Sequence, residues 1–408
     1  MNPYPSYKNS DVEWIGEIPS EWNSSIVSRH FFLGRGRVIS KEEIEDNIGE
    51  YPVYSSQTKR NGVLGYINTF DFEGSYIAWT TDGANCGTVS YRSGKFSTTN
   101  VCGLLSIKNI DLDLPYYSYL LSIGTKSYVR IDINPKLMNN MMGEIPIILP
   151  SLQEQQQISN YLDHKTQQID SLIEKTQQKI ELLKEQRTSL INQVVTKGLN
   201  PDVEVKDSGV EWIGEIPSGW DVIRTKFLTD NLDGRRVPLN SEERREILGD
   251  YPYWGSNGVV GYVDEYLFDE QLVLVGEDGS PFFERYKDVS FFVDNKVWVN
   301  NHIHVLRNKD GILPKILVHS FNCVNYRNFI TGSTRDKLNQ SDLKNIPHPV
   351  PPLEQQKQIV DHLDKETSKI DQMVDTETQR IDLLKEYRQS LISNVVTGKV
   401  DVRDEVVV

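Results

Sequence analysis

Two segments of the chain carry apolar residues at alternating spacings of three and four, the pattern of a helix with one apolar stripe. Residues 152–197 contain neither proline nor glycine, and residues 353–397 are a close copy of them. Proline precedes each segment, at Pro150 and at Pro351-Pro352, and glycine follows each one, at Gly198 and Gly398, as is typical of helix boundaries. The apolar members of the two stripes are Leu162, Ile169, Ile173, Ile180, Leu183 and Leu190, and Leu363, Ile370, Val374, Ile381, Leu384 and Leu391. The pattern predicts two long helices.

Each predicted helix is ~70 Å long at 1.5 Å per residue, and its narrow stripe needs a partner helix to cover it. Within one chain the nearest partner is the other copy. A complete domain follows the first helix before the second begins, so we expect an antiparallel coiled coil with one domain at each end. Arg187 and Arg388 interrupt the stripes, and they either fix the register or extend to the edge of the helix pair.

The helices belong to a larger duplication, because the chain aligns with itself at an offset of about 200 residues. The sequence Val-Glu-Trp-Ile-Gly-Glu-Ile-Pro-Ser occupies residues 12–20 and again 210–218, followed by Trp22 and Trp220. About half of the positions in 152–196 are identical in 353–397. The middles, at about 30–148 and 228–348, have diverged. A shared frame with different middles is expected of a protein that recognises two different things.

The divergent middles consist of short runs rich in β-forming residues, separated by turn residues such as Asp82-Gly83 and Asp278-Gly279. They predict two α+β domains with mostly antiparallel strands, so the fold class is α+β with an internal duplication and pseudo-two-fold symmetry. The predicted segments are a first domain at 1–150, a first helix at 151–199, a second domain at 200–350, a second helix at 351–400 and a tail at 401–408.

Loops of both predicted domains hold side chains suited to nucleic acid, since Arg and Lys bind guanine edges and phosphates, and Asn or Gln binds adenine. The candidates are Arg35, Arg37, Ser56, Gln57, Lys59, Arg60, Arg92 and Lys95 in the first domain, and Arg235, Arg236, Ser256, Asn257, Thr334, Arg335 and Lys337 in the second. Any single basic pair is also explained as solvated surface, and Arg244-Arg245 resembles an ordinary helix surface with local ion pairs.

Composition narrows the class of protein. The net charge of -14 is unusual for a DNA-binding protein, because affinity for duplex comes mainly from Lys and Arg that neutralise phosphates. DNA binding would therefore need local basic clusters or a partner that adds positive surface. Three cysteines without a CxxC pair argue against a disulfide framework and a zinc site. Without a signal sequence or a long apolar run, we expect a soluble cytoplasmic protein.

Catalytic motifs are missing from the sequence. It contains no phosphate-binding Gly-x-x-x-x-Gly-Lys-Ser/Thr loop, no Asn-Pro-Pro-Tyr type tetrapeptide and no Gly-x-Gly-x-x-Gly after a strand. His302 and His304 could face one side of a strand as metal ligands, but no third ligand has a recognisable spacing, so a structural role is favoured and no metal is expected. Catalysis is therefore expected to reside in another chain.

Over essentially its whole length the chain resembles the specificity subunits of type I restriction-modification systems. The resemblance rests on the repeated openings at 12–22 and 210–220, on Gly276-Glu277-Asp278-Gly279, on residues 338–343 and on the Pro-Pro-Leu-Glu-Gln-Gln start of the second helix. It implies two target-recognition domains that each read half of a split DNA site, with the helices setting the gap. Thr80-Thr81-Asp82-Gly83 departs from the glycine-glutamate form of the turn.

The resemblance also implies partners: double-stranded DNA, two methyltransferase subunits and two restriction/translocase subunits. It implies no cofactor in this chain, with S-adenosylmethionine, ATP and Mg on the partner subunits. Only the openings and helices match positions that dock partners and act as spacer; the recognition loops vary freely in the family. Two alternatives remain open: a protein-binding adaptor with a coiled-coil spacer, which the acidic charge favours, and an enzyme with an unrecognised site.

Overall fold

A computed structural model describes residues 3–108, 111–131, 134–284, 286–330 and 336–405. The chain forms two compact units, one of Met1–Lys175 with Arg380–Val408 (unit 1) and one of Thr176–Gln379 (unit 2). The two long helices span Leu152–Lys197 and Leu353–Val396, which confirms both predicted helices. Each unit therefore contains one β-rich domain and part of each long helix.

Eight of the twelve apolar stripe residues are buried, and Ile173, Leu190, Val374 and Leu384 are half-buried. In unit 1, Leu162 and Ile169 share a core with Leu391 and Val395, and in unit 2, Ile191 and Val194 share a core with Leu363. Burial of branched apolar side chains contributes roughly 1.5–3 kcal/mol each, so the stripes dominate the stability of the helix packing. Thr166, Thr176 and Thr367 lie in the stripes and are also buried.

Within each unit the two helices run antiparallel. In unit 1, Gln157 donates a hydrogen bond to the carbonyl of Val402, just after the second helix, whereas Asp170 pairs with Arg388 within that helix at 2.9 Å. In unit 2, Lys179 pairs with Glu377 at 2.5 Å and Arg187 pairs with Asp371 at 2.9 Å, so rising numbers on one helix meet falling numbers on the other. Arg187 and Arg388 are the same position of the repeat, and both make the pair. These pairs are partly exposed and add little stability, so they favour a role in register.

Unit 1 holds one six-stranded sheet. The helix Leu114–Gly124 packs on its strands Phe72–Thr80 and Val89–Thr98. All neighbouring strands pair antiparallel except Val89–Thr98 with Ile48–Tyr54. In spatial order the strands are Phe31–Arg35, Cys102–Ile107, Phe72–Thr80, Val89–Thr98, Ile48–Tyr54 and Val63–Ile67. The remaining elements are the strands Tyr7–Asn9, Glu17–Pro19, Asn23–Ile26 and Pro146–Leu149, the helices Val27–His30, Lys41–Asp46 and Asn139–Glu144, and the 3-10 turns Lys59–Gly62 and Thr125–Ser127.

Unit 2 divides the corresponding strands between two four-stranded sheets. The first sheet has the order Thr229–Asn231, Ile303–Asn308, Leu272–Gly276 and Ser290–Val293, and the second has the order Gly258–Val263, Tyr251–Gly255, Lys296–Val299 and Phe268–Asp269. The helix Pro314–Cys323 packs on the first sheet. The remaining elements are the strands Val205–Asp207, Glu215–Pro217, Asp221–Arg224 and Pro347–Val350, the helices Thr225–Leu228, Ser241–Glu246 and Gln340–Leu343, and the 3-10 turns Asp233–Arg235 and Tyr326–Asn328. The predicted α+β class with mostly antiparallel strands is confirmed.

The repeated opening of each unit packs against the start of a long helix. Trp22 and Trp220 are buried, and their indole N–H groups donate to the side chains of Glu154 at 3.2 Å and Gln355 at 2.8 Å. These helix positions correspond in the two copies. The tryptophans therefore attach each domain to its helix.

A glutamine next to each of these positions ties the helix to the helix on the sheet. The side-chain oxygen of Gln155 accepts from the Asp113 amide, and that of Gln356 accepts from the Leu313 amide, both at 2.8 Å. Both glutamines are buried and return their amide N–H groups to backbone carbonyls. A backbone N–H group without an acceptor, such as that of Asp113 or Leu313 if the glutamine were absent, costs about 1–3 kcal/mol where it is buried. This cost accounts for a glutamine at this position in both copies.

The two ends of the described chain lie together in unit 1. Val402 is buried in the core, and the guanidinium of Arg403 lies 4.7 Å from the centre of the Tyr4 ring. Gly398, at φ +72°, packs on Pro19 and Trp22, as Gly198, at φ +75°, packs on Trp220. Because the segment after the first helix is the opening of the second unit, the repeat predicts that the two ends of the chain lie close together. The described ends, at Tyr4 and Arg403, do so.

A circular permutant that begins at Pro201, with a short linker joining the old termini, is expected to fold with wild-type helix content. The contact of Arg403 with Tyr4 means that the linker closes a short gap. Circular dichroism and thermal melting check this result. A permutant that stays unfolded, while one opened inside the first long helix folds, would contradict the arrangement.

Acid is expected to destabilise unit 2 through His348. Its ring is fully buried between Ser320 Oγ and Thr225 Oγ1, and burial lowers its pKa to about 3. The unfolded chain takes up the proton near pH 6.5, so the stabilisation is complete above that pH and is lost as the pH falls toward 3. We expect a loss of about 2–3 kcal/mol from this residue at pH 4.5. Urea unfolding of wild type and His348→Gln, above pH 6.5 and at pH 4.5, measures this loss, with His164→Gln as the control. The prediction is contradicted if the free energy of unfolding changes equally with pH in wild type and His348→Gln.

Candidate nucleic-acid interface

In unit 1, several predicted contacts gather on the turn 55–62 between strands Ile48–Tyr54 and Val63–Ile67. Arg60 and Asn61 have φ values of 50° and 53°, a left-handed conformation that is uncommon outside glycine. The Gln57 side chain donates to the Val63 carbonyl, and Asn85 donates to the Ser56 carbonyl at 2.8 Å. The turn therefore has a fixed shape, and it exposes Lys59 and Arg60.

Arg92 lies beneath this turn and is only 7% exposed. Its guanidinium covers the Tyr54 ring at 3.9 Å and donates to Asn61 Oδ1 at 3.1 Å. Lys95, on the same strand, is exposed and lies 4.8 Å from the centre of the Phe70 ring. Arg92 thus supports the turn, whereas Lys95 faces solvent.

The other two predicted cations of unit 1 lie at the end of strand Phe31–Arg35 and two residues beyond it. Arg35 is exposed and donates to the Asn100 carbonyl at 2.6 Å. Arg37 forms ion pairs with Glu43 at 2.6 Å and Asp71 at 3.0 Å. Its charge is already compensated, so a phosphate would have to compete with two carboxylates.

In unit 2 the corresponding turn is much shorter. Ser256 and Asn257 alone connect strands Tyr251–Gly255 and Gly258–Val263. Asn257 is exposed and donates to the Gly279 carbonyl at 3.1 Å, and Ser280 Oγ donates to the Ser256 carbonyl at 2.8 Å. In both units the tip of a hairpin therefore contacts the loop that follows a central strand, Phe72–Thr80 in unit 1 and Leu272–Gly276 in unit 2. The two tips differ in length and side chains.

The Arg235-Arg236 pair divides into an outer and an inner residue. Arg235 is exposed, lies over the Phe268 ring at 4.5 Å and pairs with Glu270 at 3.3 Å. Arg236 turns inward and pairs with Glu277 at 2.6 Å. Lys337 is exposed and pairs with the same carboxylate at 3.1 Å. The predicted contacts Thr334 and Arg335 lie outside the described residues.

Asp233, Glu277 and His304 form a buried group whose ligand atoms lie within 4.8 Å of one another. His304 contacts Asp233 Oδ2 at 2.7 Å and the Leu338 carbonyl at 2.8 Å. Burial would raise the pKa of Asp233, but hydrogen bonds from His304, Asn231 and the Val305 amide lower it to about 2. The geometry resembles a metal site, yet Arg236 and Lys337 already supply the compensating cations. A structural network fits these contacts better than a cation site.

This network connects residues 336–343 to the end of the central strand, Leu272–Gly276. Unit 1 makes the same connection with different residues. The Leu338 amide donates to the Glu277 carbonyl at 2.7 Å, as the Leu137 amide donates to the Thr81 carbonyl at 2.8 Å. The Trp79 indole donates to the Leu137 carbonyl at 2.9 Å, where unit 2 uses His304. His302 pairs with Asp278 at 2.5 Å, so the two histidines do not converge on one site.

Comparison with known proteins identifies the family to which the two repeated segments belong. The sequence model of one family, described as the type I restriction modification DNA specificity domain, matches the chain twice, at residues 19–182 and 217–386. The chain belongs to this family. Both matches cover a divergent middle and most of the helix that follows it.

Relatives in sequence agree with this assignment, and a solved structure shares the fold. The Mycoplasma pneumoniae type I specificity protein S.MpnORF507P is 31% identical over 265 residues, covering 64% of this chain and 68% of that protein. The MpnII specificity subunit from the same organism is 40% identical over 155 residues, 38% of this chain and 47% of its own length. A chain from a structure of the type I restriction-modification system covers 94% of this chain and 99% of its own, with a TM-score of 0.69 at 13% identity, which shows a shared fold.

In the part of this specificity-family chain that the structure describes, no helix is both long and apolar enough to cross a membrane.

The contacts of Gln155 and Gln356, which attach each domain to its helix, and of Arg92, which supports the turn 55–62, could not be assigned from sequence. The paired Gln at the same repeat position was the available signal for the first two.

Proposed function

We propose that this chain is the DNA sequence-reading subunit of a type I restriction-modification enzyme. The β-rich domain of each unit reads one half of a split, asymmetric target, and the two long helices set the distance between the halves. The chain docks two methyltransferase subunits and two restriction/translocase subunits. It acts in the cytoplasm and is not itself catalytic, with S-adenosylmethionine, ATP and Mg held by the partners.

The observation that carries this proposal is the contrast between frame and loops. The tryptophan, the glutamine and the helix ion pair recur in both units. The hairpin tips do not recur: one is an eight-residue turn over a buried arginine, and the other is a two-residue turn. Two readers of different half-sequences need the same support and different contacting side chains.

The charges of the loops explain how an acidic chain would bind DNA. Arg37, Lys95, Arg235, Arg236 and Lys337 each pair with a carboxylate. Among the candidate cations that the structure describes, Arg35, Lys59, Arg60 and Arg92 are the ones without such a pair. We therefore expect the methyltransferase partners to supply much of the phosphate contact, and this chain to supply base contacts.

Salt dependence of binding tests the proposal. The chain is combined with its methyltransferase partner, and affinity for duplex DNA is measured from low to moderate salt. A steep fall in affinity, in proportion to the phosphates contacted, is expected. The methyltransferase alone is the control for sequence preference. DNA binding without sequence preference, whether or not this chain is present, would favour the adaptor function. So would a chain that binds no DNA but forms a salt-insensitive complex with another protein.

A further inference from the structure

The first β-rich domain contains a small cavity under the turn 55–62, and about half of its wall is polar. Its volume is about 100 Å³, and its lining includes Gln57, Thr80, Thr88, Ser90 and Arg92. This volume exceeds that of several waters. The hydroxyl groups and the guanidinium make its wall rich in hydrogen-bond donors.

Arg92 is a buried cation without a carboxylate partner. In the described part of the chain, its guanidinium interacts with Tyr54, Asn61 and Cys102. Its Nε has no hydrogen-bond partner among the described residues. Burial lowers the pKa of Arg92, which reflects the cost of an uncompensated charge away from water. Such a charge is stable only if the fold or a ligand compensates it.

The corresponding place in the second β-rich domain has no cation. There the Trp254 ring, which occupies the position of Tyr54 in the repeat, packs against Phe291 with ring centroids 5.3 Å apart. Two aromatic rings therefore occupy this place in the second domain. The buried charge is a feature of the first domain alone, and the fold does not require it.

We propose that this cavity binds a phosphate group, and that in the assembled enzyme the group is a backbone phosphate of the target DNA. The inference rests on the proposed DNA-reading function. The guanidinium already covers the face of Tyr54, so the cavity offers charge and hydroxyl donors in place of a stacking surface for a base. A planar guanidinium with a free N–H edge suits phosphate oxygens.

Inorganic phosphate tests the cavity without DNA. Thermal melting of the full chain is compared in phosphate and in chloride at equal ionic strength. Wild type is expected to melt at a higher temperature in phosphate, and Arg92→Met is expected to show a smaller shift that reflects only the general stabilising effect of phosphate. The exposed Arg29, on the short helix Val27–His30, gives the matched control Arg29→Met, which should keep the full wild-type shift. Equal phosphate shifts in wild type and Arg92→Met would overturn the site.

A second variant covers the case in which Arg92→Met does not fold. Arg92→Gln retains a donor for Asn61 and removes the charge, so it should fold and show the same reduced phosphate shift as Arg92→Met. A role confined to supporting the turn predicts a wild-type phosphate shift in Arg92→Gln, and that result would overturn the proposal.

DNA binding separates this inference from the proposed function. In the complex with methyltransferase, Arg92→Gln should weaken binding to all sequences alike and reduce the salt slope by ~0.9, the value for one phosphate. A changed methylated base in the first half-sequence would show base reading and overturn the phosphate assignment. Failure of the wild-type complex to bind DNA would instead reject the proposed function, whatever inorganic phosphate does.

Discussion

Lengthening both long helices by one turn is expected to widen the gap in the DNA target and to leave both half-sequences unchanged. Four residues inserted after Gln178 and four after Gln379, the same position in the two copies, add ~6 Å at 1.5 Å per residue. At a rise of ~3.4 Å per base pair, the gap should grow by one or two base pairs. Methylation at the original targets should be lost, which makes this the largest functional effect expected.

The insertion needs to continue the alternating apolar spacing, because the stripe stabilises the helix pair. A chain with the insertion in one helix alone is the matched control. Its ion pairs Asp170 with Arg388 and Arg187 with Asp371 cannot both form, so it should assemble poorly. Mapping of methylated bases for each variant gives the readout. A change in either half-sequence, at an unchanged gap, would mean that the helices do not act as a spacer.

The largest loss of stability is expected from a charge placed in the helix stripe. Ile180 is 4% exposed in unit 2, and Ile381 is 6% exposed in unit 1. Aspartate at either position loses the apolar burial and leaves an unpaired carboxylate in the interface. We expect each variant to lower the free energy of unfolding by roughly 4 kcal/mol.

The chain supplies matched controls two residues further along each helix. Leu182 and Leu383 are 65% and 64% exposed, and Leu182→Asp and Leu383→Asp should change the free energy of unfolding by less than about 0.5 kcal/mol. Urea unfolding followed by circular dichroism compares all four variants. Equal losses for inner and outer positions would contradict the packing of the stripes.

The frame of this protein could be predicted from its sequence because it depends on periodicity and repetition. The alternating spacing of Leu162, Ile169 and Ile173 has one structural solution, an amphipathic helix that needs a partner. Proline before the helices and glycine after them marked the boundaries to within a residue or two. The repeated openings indicated that the ends of the chain lie together, as Tyr4 and Arg403 do.

The details of the recognition loops could not be predicted, because they depend on contacts between residues distant in sequence. Arginine is usually exposed, so nothing in the sequence distinguished the buried Arg92 and the inward-facing Arg236 from the exposed Arg235. The division of the second domain into two sheets likewise follows from strand pairing that short apolar runs do not encode. Which cations touch DNA therefore stays a prediction for each residue.

The proposed reading of a split target is tested most directly by co-expression of this chain with its methyltransferase partner in a host without that methylation. Methylated adenines are then mapped by single-molecule sequencing. A motif with two defined halves and a fixed gap is the expected result, and it would give the target of each domain. Absence of new methylation despite a stable complex of the two proteins would contradict the proposal and favour a protein-binding adaptor.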